Sequence, residues 1–286
     1  MSQAEPWFRQ YERVKRGRNW RSWPLIRTLR GARLRRLAPI DAGREGGLSV
    51  IRYYWAEFLE GRRSDFRGRA LEVGETATVR YYGGDALTQA DAIDLSPHSP
   101  EVAIVADLAR AEHAPGEQYD CFLLQFTTNV IFDIESALYH AVRLLKPGGV
   151  LLTNFWCTDF YFHKGLDMGT GGPLYMHWFF TPIQVQNLLC RLGLAEKDFA
   201  LSVYGNLLTK TAFLMNLPAR ELTARERDHR DPHQPLLICA RIVRPPGWRQ
   251  SSPPPISPTW LPTQQPMPLH PETGHFGDAY LRRDEL

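Results

Sequence analysis

An α/β fold, built on a mostly parallel sheet of about seven strands with helices on both faces, is what this sequence predicts. Three observations predict it. Strand-length apolar runs (RALEV, EVAIVADL, DCFLLQF, VLLTNFW) recur along the middle of the chain, as they do when strands are buried on both sides. Helical or turn segments separate them, which requires crossover connections and parallel pairing. Acids or glycine stand where these runs end. The 286 residues suffice for one large domain or two small ones with a sound core.

Taken in order, residues 1–47 form a basic extension. Up to Arg44 there are twelve Lys or Arg against three acids, a local +9 within an overall +3, so the remaining residues carry −6. Within the extension, Leu25, Ile26, Leu29 and Leu37 recur at helical spacing among Arg27, Arg30, Arg33 and Arg36, with Pro24 suited to a first turn and Pro39 to a stop. Such a helix either lays its apolar side on its own domain or binds an anionic surface or polymer.

The α/β domain is expected over residues 48–244. IRYYWAEFLEGRRSDF places Ile51, Tyr54, Trp55, Phe58 and Leu59 on one face of a helix. A first strand follows, ending at Glu72-Val73-Gly74, and a short helix or turn closes near Tyr82. The second strand ends in acids at Asp91 and Asp94, the third finishes at Asp107, and the fourth enters through Tyr119-Asp120. Ala137, Leu138, Ala141, Val142 and Leu145 share a helix face that Pro147-Gly148-Gly149 ends. After the fifth strand, residues 155–180 are rich in aromatics, Gly and His without a period, as in segments that cover a site. Thr181-Pro182 caps a further helix, and FALSVYGN and PLLICARIV read as the last strands, with a short helical stretch between them. Residues 245–286 are Pro-rich and expected to be disordered or extended.

No run of about 18 apolar residues suggests a membrane span, and the start lacks the apolar centre of a signal peptide. Cys121, Cys157, Cys190 and Cys239 are far apart without a CxxC pair, so reduced thiols and a cytoplasmic location are expected. The final RDEL resembles a retention tetrapeptide, a match expected to be chance in the absence of a signal sequence. No His or acid spacing marks a metal site.

A strand ending in E-x-G, a second and third ending in acid, a fourth opening with Tyr-Asp, and LLKPGG before a fifth strand occur together in this order. This combination resembles the class I S-adenosylmethionine-dependent methyltransferase family, whose fold is Rossmann-like. The likeness is close over about Arg69 to Asn154. RYYWAEFL, LEVGETATVRYYGG, IVADL and YGNLLTKTAFL further resemble a bacterial subgroup associated with glycosyltransferases and polysaccharide synthesis.

The resemblance implies S-adenosylmethionine as cofactor and a small or sugar-like acceptor. Gly74 lets the loop pass close to the cofactor's amino-acid end, and Glu72 orients that loop or reaches the ammonium through water. Asp91 or Asp94 accepts from the ribose diol; the spacing leaves both open. Asp107 and Leu108 meet the adenine, and Gln125 to Asn129 border the sulfonium. The family's loop carries three glycines; here Thr76 and Thr78 stand for the last two. Thr76 either crowds the cofactor or donates to its carboxylate. The short link from Asp94 to Asp107 leaves the adenine side open. For a hydroxyl acceptor a base is needed, and Asp159, His163, Tyr175 and His177 are candidates, His177 first because imidazole titrates in the useful range. A methyltransferase-like domain without catalysis, serving as a binding module, and a nicotinamide-dependent oxidoreductase are the competing readings.

Overall fold

The computed structural model describes residues 7–16, 47–158, 176–250, 252–253 and 256. Seven strands, β1 (Gly68–Val73), β2 (Leu87–Asp94), β3 (Val102–Val105), β4 (Tyr119–Leu124), β5 (Leu145–Trp156), β6 (Phe199–Tyr204) and β7 (Leu237–Val243), form one sheet in the order β3-β2-β1-β4-β5-β7-β6. Neighbours from β3 to β5 are parallel; β7 alone runs antiparallel to both its partners. The helices, in chain order among the described residues, are α1 (Trp7–Arg16), α2 (Val50–Glu60), α3 (Ala77–Gly83), α4 (Ile134–Leu144), α5 (Pro182–Arg191), α6 (Leu207–Leu214) and α7 (Ala224–Asp228). This is the predicted α/β architecture.

Alternation along each strand divides the apolar side chains between two cores. Cys121 and Leu123 of β4 face α2, α3 and α6, while Phe122 and Leu124 face α4 and α5. In β5, Leu152 and Trp156 join the first core, and Leu151 and Phe155 the second. The sheet is therefore covered on both sides, and the loops at its carboxyl ends are left to build a site.

The capping signals are realised at α5. Thr181 accepts from the Gln184 amide at 3.3 Å, and Gln184 Oε1 accepts from the Thr181 amide at 2.7 Å, with Pro182 opening the helix. Helix α4 departs from expectation: it stops at Leu144, and Pro147-Gly148-Gly149 belongs to the start of β5. The physical reason is that Lys146 precedes a proline, which drives it out of the helical region. Leu145 already pairs with Tyr119, and Gly148, at φ +80°, donates its N–H to the Arg244 carbonyl at 2.8 Å. A Cβ on Gly149 would stand 2.9 Å from the carbonyls of Lys146 and Tyr119, so this close approach requires glycine.

Part of the basic extension packs on the domain. Tyr11 of α1 is buried against Tyr53 of α2, and Phe8 stacks on Tyr81 at 4.4 Å. The basic helix expected over Leu25 to Leu37 lies outside the described residues, as do Asp159, His163, Tyr175 and the tail from 257. Packing also runs past the expected end at 244. Trp248 is buried, donates Nε1 to the Leu192 carbonyl at 2.9 Å, and lies 5.4 Å from the Arg244 guanidinium, which holds Glu117 at 2.6 Å. One aromatic and one arginine anchor a stretch whose proline content suggested none.

Candidate functional site at the carboxyl ends of the strands

The chain leaves β1 through Gly74 at φ +82°, a left-handed turn that glycine adopts without strain. Its N–H donates to the Ile93 carbonyl at 2.9 Å, tying the loop to the end of β2. Beyond Thr76 the loop enters α3, and Glu72 holds that entry. Fully buried, its Oε2 accepts from the amides of Thr78 and Val79 at 3.0 and 2.9 Å, satisfying first-turn N–H groups that the helix cannot pair. Its Oε1 accepts from Gln125 Nε2 at 2.7 Å. Burial pushes the Glu72 carboxyl up to about 8, against the downward pull of these donors.

Gln125, just past β4, is fully engaged. Its Nε2 also donates to Thr78 Oγ1 at 3.0 Å, and its Oε1 accepts from Trp55 Nε1 at 2.9 Å. Trp55, Gln125, Glu72 and Thr78 thus form one chain of hydrogen bonds from α2 across the ends of β4 and β1 to α3. Gln125 braces the site with its side chain. The tryptophan in this brace was legible only as a member of an apolar face.

Asp91 and Asp94 have different surroundings. Asp91 lies within β2 opposite Leu71, buried, with Oδ2 bound by Arg69 Nε and Nη2 at 2.8 and 2.7 Å and Oδ1 by Gln89 at 2.7 Å. It is committed to the strand. Asp94 is the last residue of β2; Oδ1 accepts from the Ser96 amide at 2.9 Å, with His98 Nδ1 3.6 Å away. Asp94 Oδ2 has no hydrogen-bond partner among the described residues and lies 3.8 Å from where a Cβ on Gly74 would be. One carboxylate oxygen therefore faces the glycine turn.

Thr76, buried, donates its hydroxyl to Glu101 Oε2 at 2.6 Å and accepts from Arg80 Nε at 2.9 Å, and Arg80 pairs with Glu101 at 3.1 Å. Its hydroxyl is therefore occupied. Glu101, absent from the sequence expectations, fastens the loop to the approach of β3. No helix lies between β2 and β3, and Leu95 and Val105 are exposed there. Asp107 is exposed, its Oδ1 accepting from the Ala109 amide at 2.9 Å, while the Leu108 side chain is buried in the core.

Across the ends of β4 and β5, Asn129 pins the segment that carries His177. The Asn129 carbonyl accepts from the His177 and Trp178 amides at 2.7 and 3.2 Å, and its side chain accepts from the Trp156 amide at 3.1 Å. The His177 ring meets Phe132 edge-on at 5.2 Å, and partial burial lowers its pKa, favouring the neutral imidazole.

No family model and no curated protein matches this chain. Solved structures it is similar to include a SAM-dependent methyltransferase from Thermotoga maritima, with 16% identity, 68% of this chain and 91% of that one covered, and a TM-score of 0.43. An S-adenosylmethionine-dependent methyltransferase from Mesorhizobium loti has 17% identity, 66% and 97% coverage and a TM-score of 0.41. The cyclase SpnF has 19% identity, 78% and 92% coverage and a TM-score of 0.41.

Proposed function

We propose that this chain binds S-adenosylmethionine at the carboxyl ends of β1, β2 and β4 and transfers its methyl group to a small acceptor. The observation that carries the reading is the pairing of Gly74 with Asp94: a left-handed glycine turn with an available carboxylate oxygen facing it. A vicinal diol donating to that oxygen fits the residues present, because an ionised carboxylate accepts without giving. Asp94 is accordingly the ribose-binding acid, Asp91 a structural one, and Asp107 the acceptor beside the adenine, with Leu108 contributing backbone only. Leu95 and Val105 supply apolar contact on the open side.

When bound, the cofactor supplies an electrophilic methyl on a sulfonium. The chain's part is alignment and exclusion of water. Glu72, Gln125 and Trp55 fix the loop, and Asn129 holds residues 177–178 across the neighbouring strand ends. His177, neutral at pH 7, can take a proton from a hydroxyl acceptor. A saccharide or related small molecule in polysaccharide or secondary-metabolite synthesis is the acceptor class that the sequence resemblance favours. The free cysteines suit a reducing, cytoplasmic setting. We keep an anionic surface or polymer as the proposed partner of the Arg-rich extension. Binding of S-adenosylmethionine and S-adenosylhomocysteine, with NAD as control, tests the reading by calorimetry.

One observation favours a second reading, a domain that keeps the fold without catalysis. Thr76 and Thr78 replace loop glycines, and the Thr76 hydroxyl is tied to Glu101 and Arg80. A protein that binds neither sulfur compound would fit that reading.

A further inference from the structure

Arg52 is an exposed arginine beside the carboxyl end of β4. It lies in the first turn of α2, where the positive end of the helix dipole opposes it. Among the described residues no carboxylate lies within ion-pair distance of it. Desolvation by its neighbours lowers its pKa, although the residue as a whole is exposed. Its guanidinium carbon stands 5.6 Å from the centre of the Phe126 ring, and phenylalanine is a poorer seat for a cation than tryptophan.

Phe126 explains the placement. It follows Gln125 at the end of β4 and has φ +54°, a conformation that a bulky residue adopts when its surroundings impose it, often at a functional site. Its amide donates to Asn154 Oδ1 at 3.0 Å, and its ring meets Trp55 and Trp156, each at 6.2 Å. Asn154 is fully buried, and its Nδ2 has no hydrogen-bond partner among the described residues. Arg52 is thereby held over the carboxyl end of β4, beside the strand ends assigned to the cofactor.

We propose that the methyl acceptor is a small organic anion whose carboxylate or phosphate group is taken by Arg52, with Phe126 beneath its apolar part. The planar fork of a guanidinium donates two parallel hydrogen bonds to either group. An uncharged analogue leaves that fork unpaired and is rejected. The acceptor assignment rests on the methyl-transfer reading; the anion site rests on Arg52 and its surroundings.

The test is calorimetry on the full chain at constant ionic strength, with S-adenosylhomocysteine first and then benzoate, phenyl phosphate and benzyl alcohol. Wild type is expected to bind at least one of the two anions, and which one distinguishes carboxylate from phosphate. Arg52→Gln should weaken that anion at least tenfold and Arg52→Lys less, with benzyl alcohol unchanged and S-adenosylhomocysteine affinity equal in all three proteins. That equal affinity also shows that the variants are folded. Equal anion binding by wild type and Arg52→Gln, or no response of wild type to either anion, overturns the proposal. Arg52-dependent anion binding in a protein that never binds S-adenosylhomocysteine overturns the acceptor assignment and leaves the anion site standing.

Discussion

Gln125 Nε2 donates to Glu72 Oε1 at 2.7 Å, joining the end of β4 to the end of β1 beneath the proposed cofactor loop. Because Trp55 and Thr78 complete the same chain of hydrogen bonds, removing its centre leaves several buried groups unpaired. Gln125→Leu should lower stability by about 1–3 kcal/mol and weaken S-adenosylhomocysteine binding, as read by urea denaturation and calorimetry. Unchanged stability would mean that the brace is incidental.

The two aspartates of β2 separate stability from binding. Asp94→Asn should weaken S-adenosylhomocysteine about tenfold, a loss of about 1.4 kcal/mol, while leaving the melting temperature nearly unchanged. Asp91→Asn should do the reverse. It strips the partly exposed Arg69 of its ion partner, at a cost of about 1–2 kcal/mol. Binding loss in Asp91→Asn alone would reverse the assignment.

Glu72 predicts a pH dependence. Its folded pKa, raised to about 8, lies above that of the unfolded chain, so the native state binds the extra proton between the two values. Stability contributed by the neutral form is present at low pH and is lost as pH rises towards 8. Relative to Glu72→Gln, wild type should lose stability by at least about 1 kcal/mol between pH 5 and 8. Parallel curves from denaturant titrations across that range would contradict it.

Thr76→Gly restores the glycine of the resembled loop. It removes the hydroxyl between Glu101 and Arg80 and should cost about 1–2 kcal/mol. S-adenosylhomocysteine affinity should stay within about threefold, since the native loop already accommodates the ligand; in energy that is about 0.65 kcal/mol. A tenfold gain would show that Thr76 obstructs the site and would favour the reading without catalysis.

The strands were legible because unbroken apolar runs ended at acids or glycine, and the α5 cap because Thr181, Pro182 and Gln184 lie within four residues. Longer-range arrangements were not. Trp55 meets Gln125 seventy residues away, and Glu101 meets Thr76 across twenty-five; no local pattern encodes either pair. Asp91 and Asp94 looked equivalent because the arginine that claims Asp91 sits on the neighbouring strand. Trp248 was hidden in proline-rich surroundings, where composition outweighed a single anchoring ring.

The central claim, that Gly74 and Asp94 bound a site for S-adenosylmethionine, is tested most directly by titrating the purified chain with S-adenosylhomocysteine in a calorimeter, with NAD as control. One-to-one binding that Asp94→Asn weakens, without response to NAD, is the predicted result. No heat and no thermal shift with either sulfur compound would contradict it.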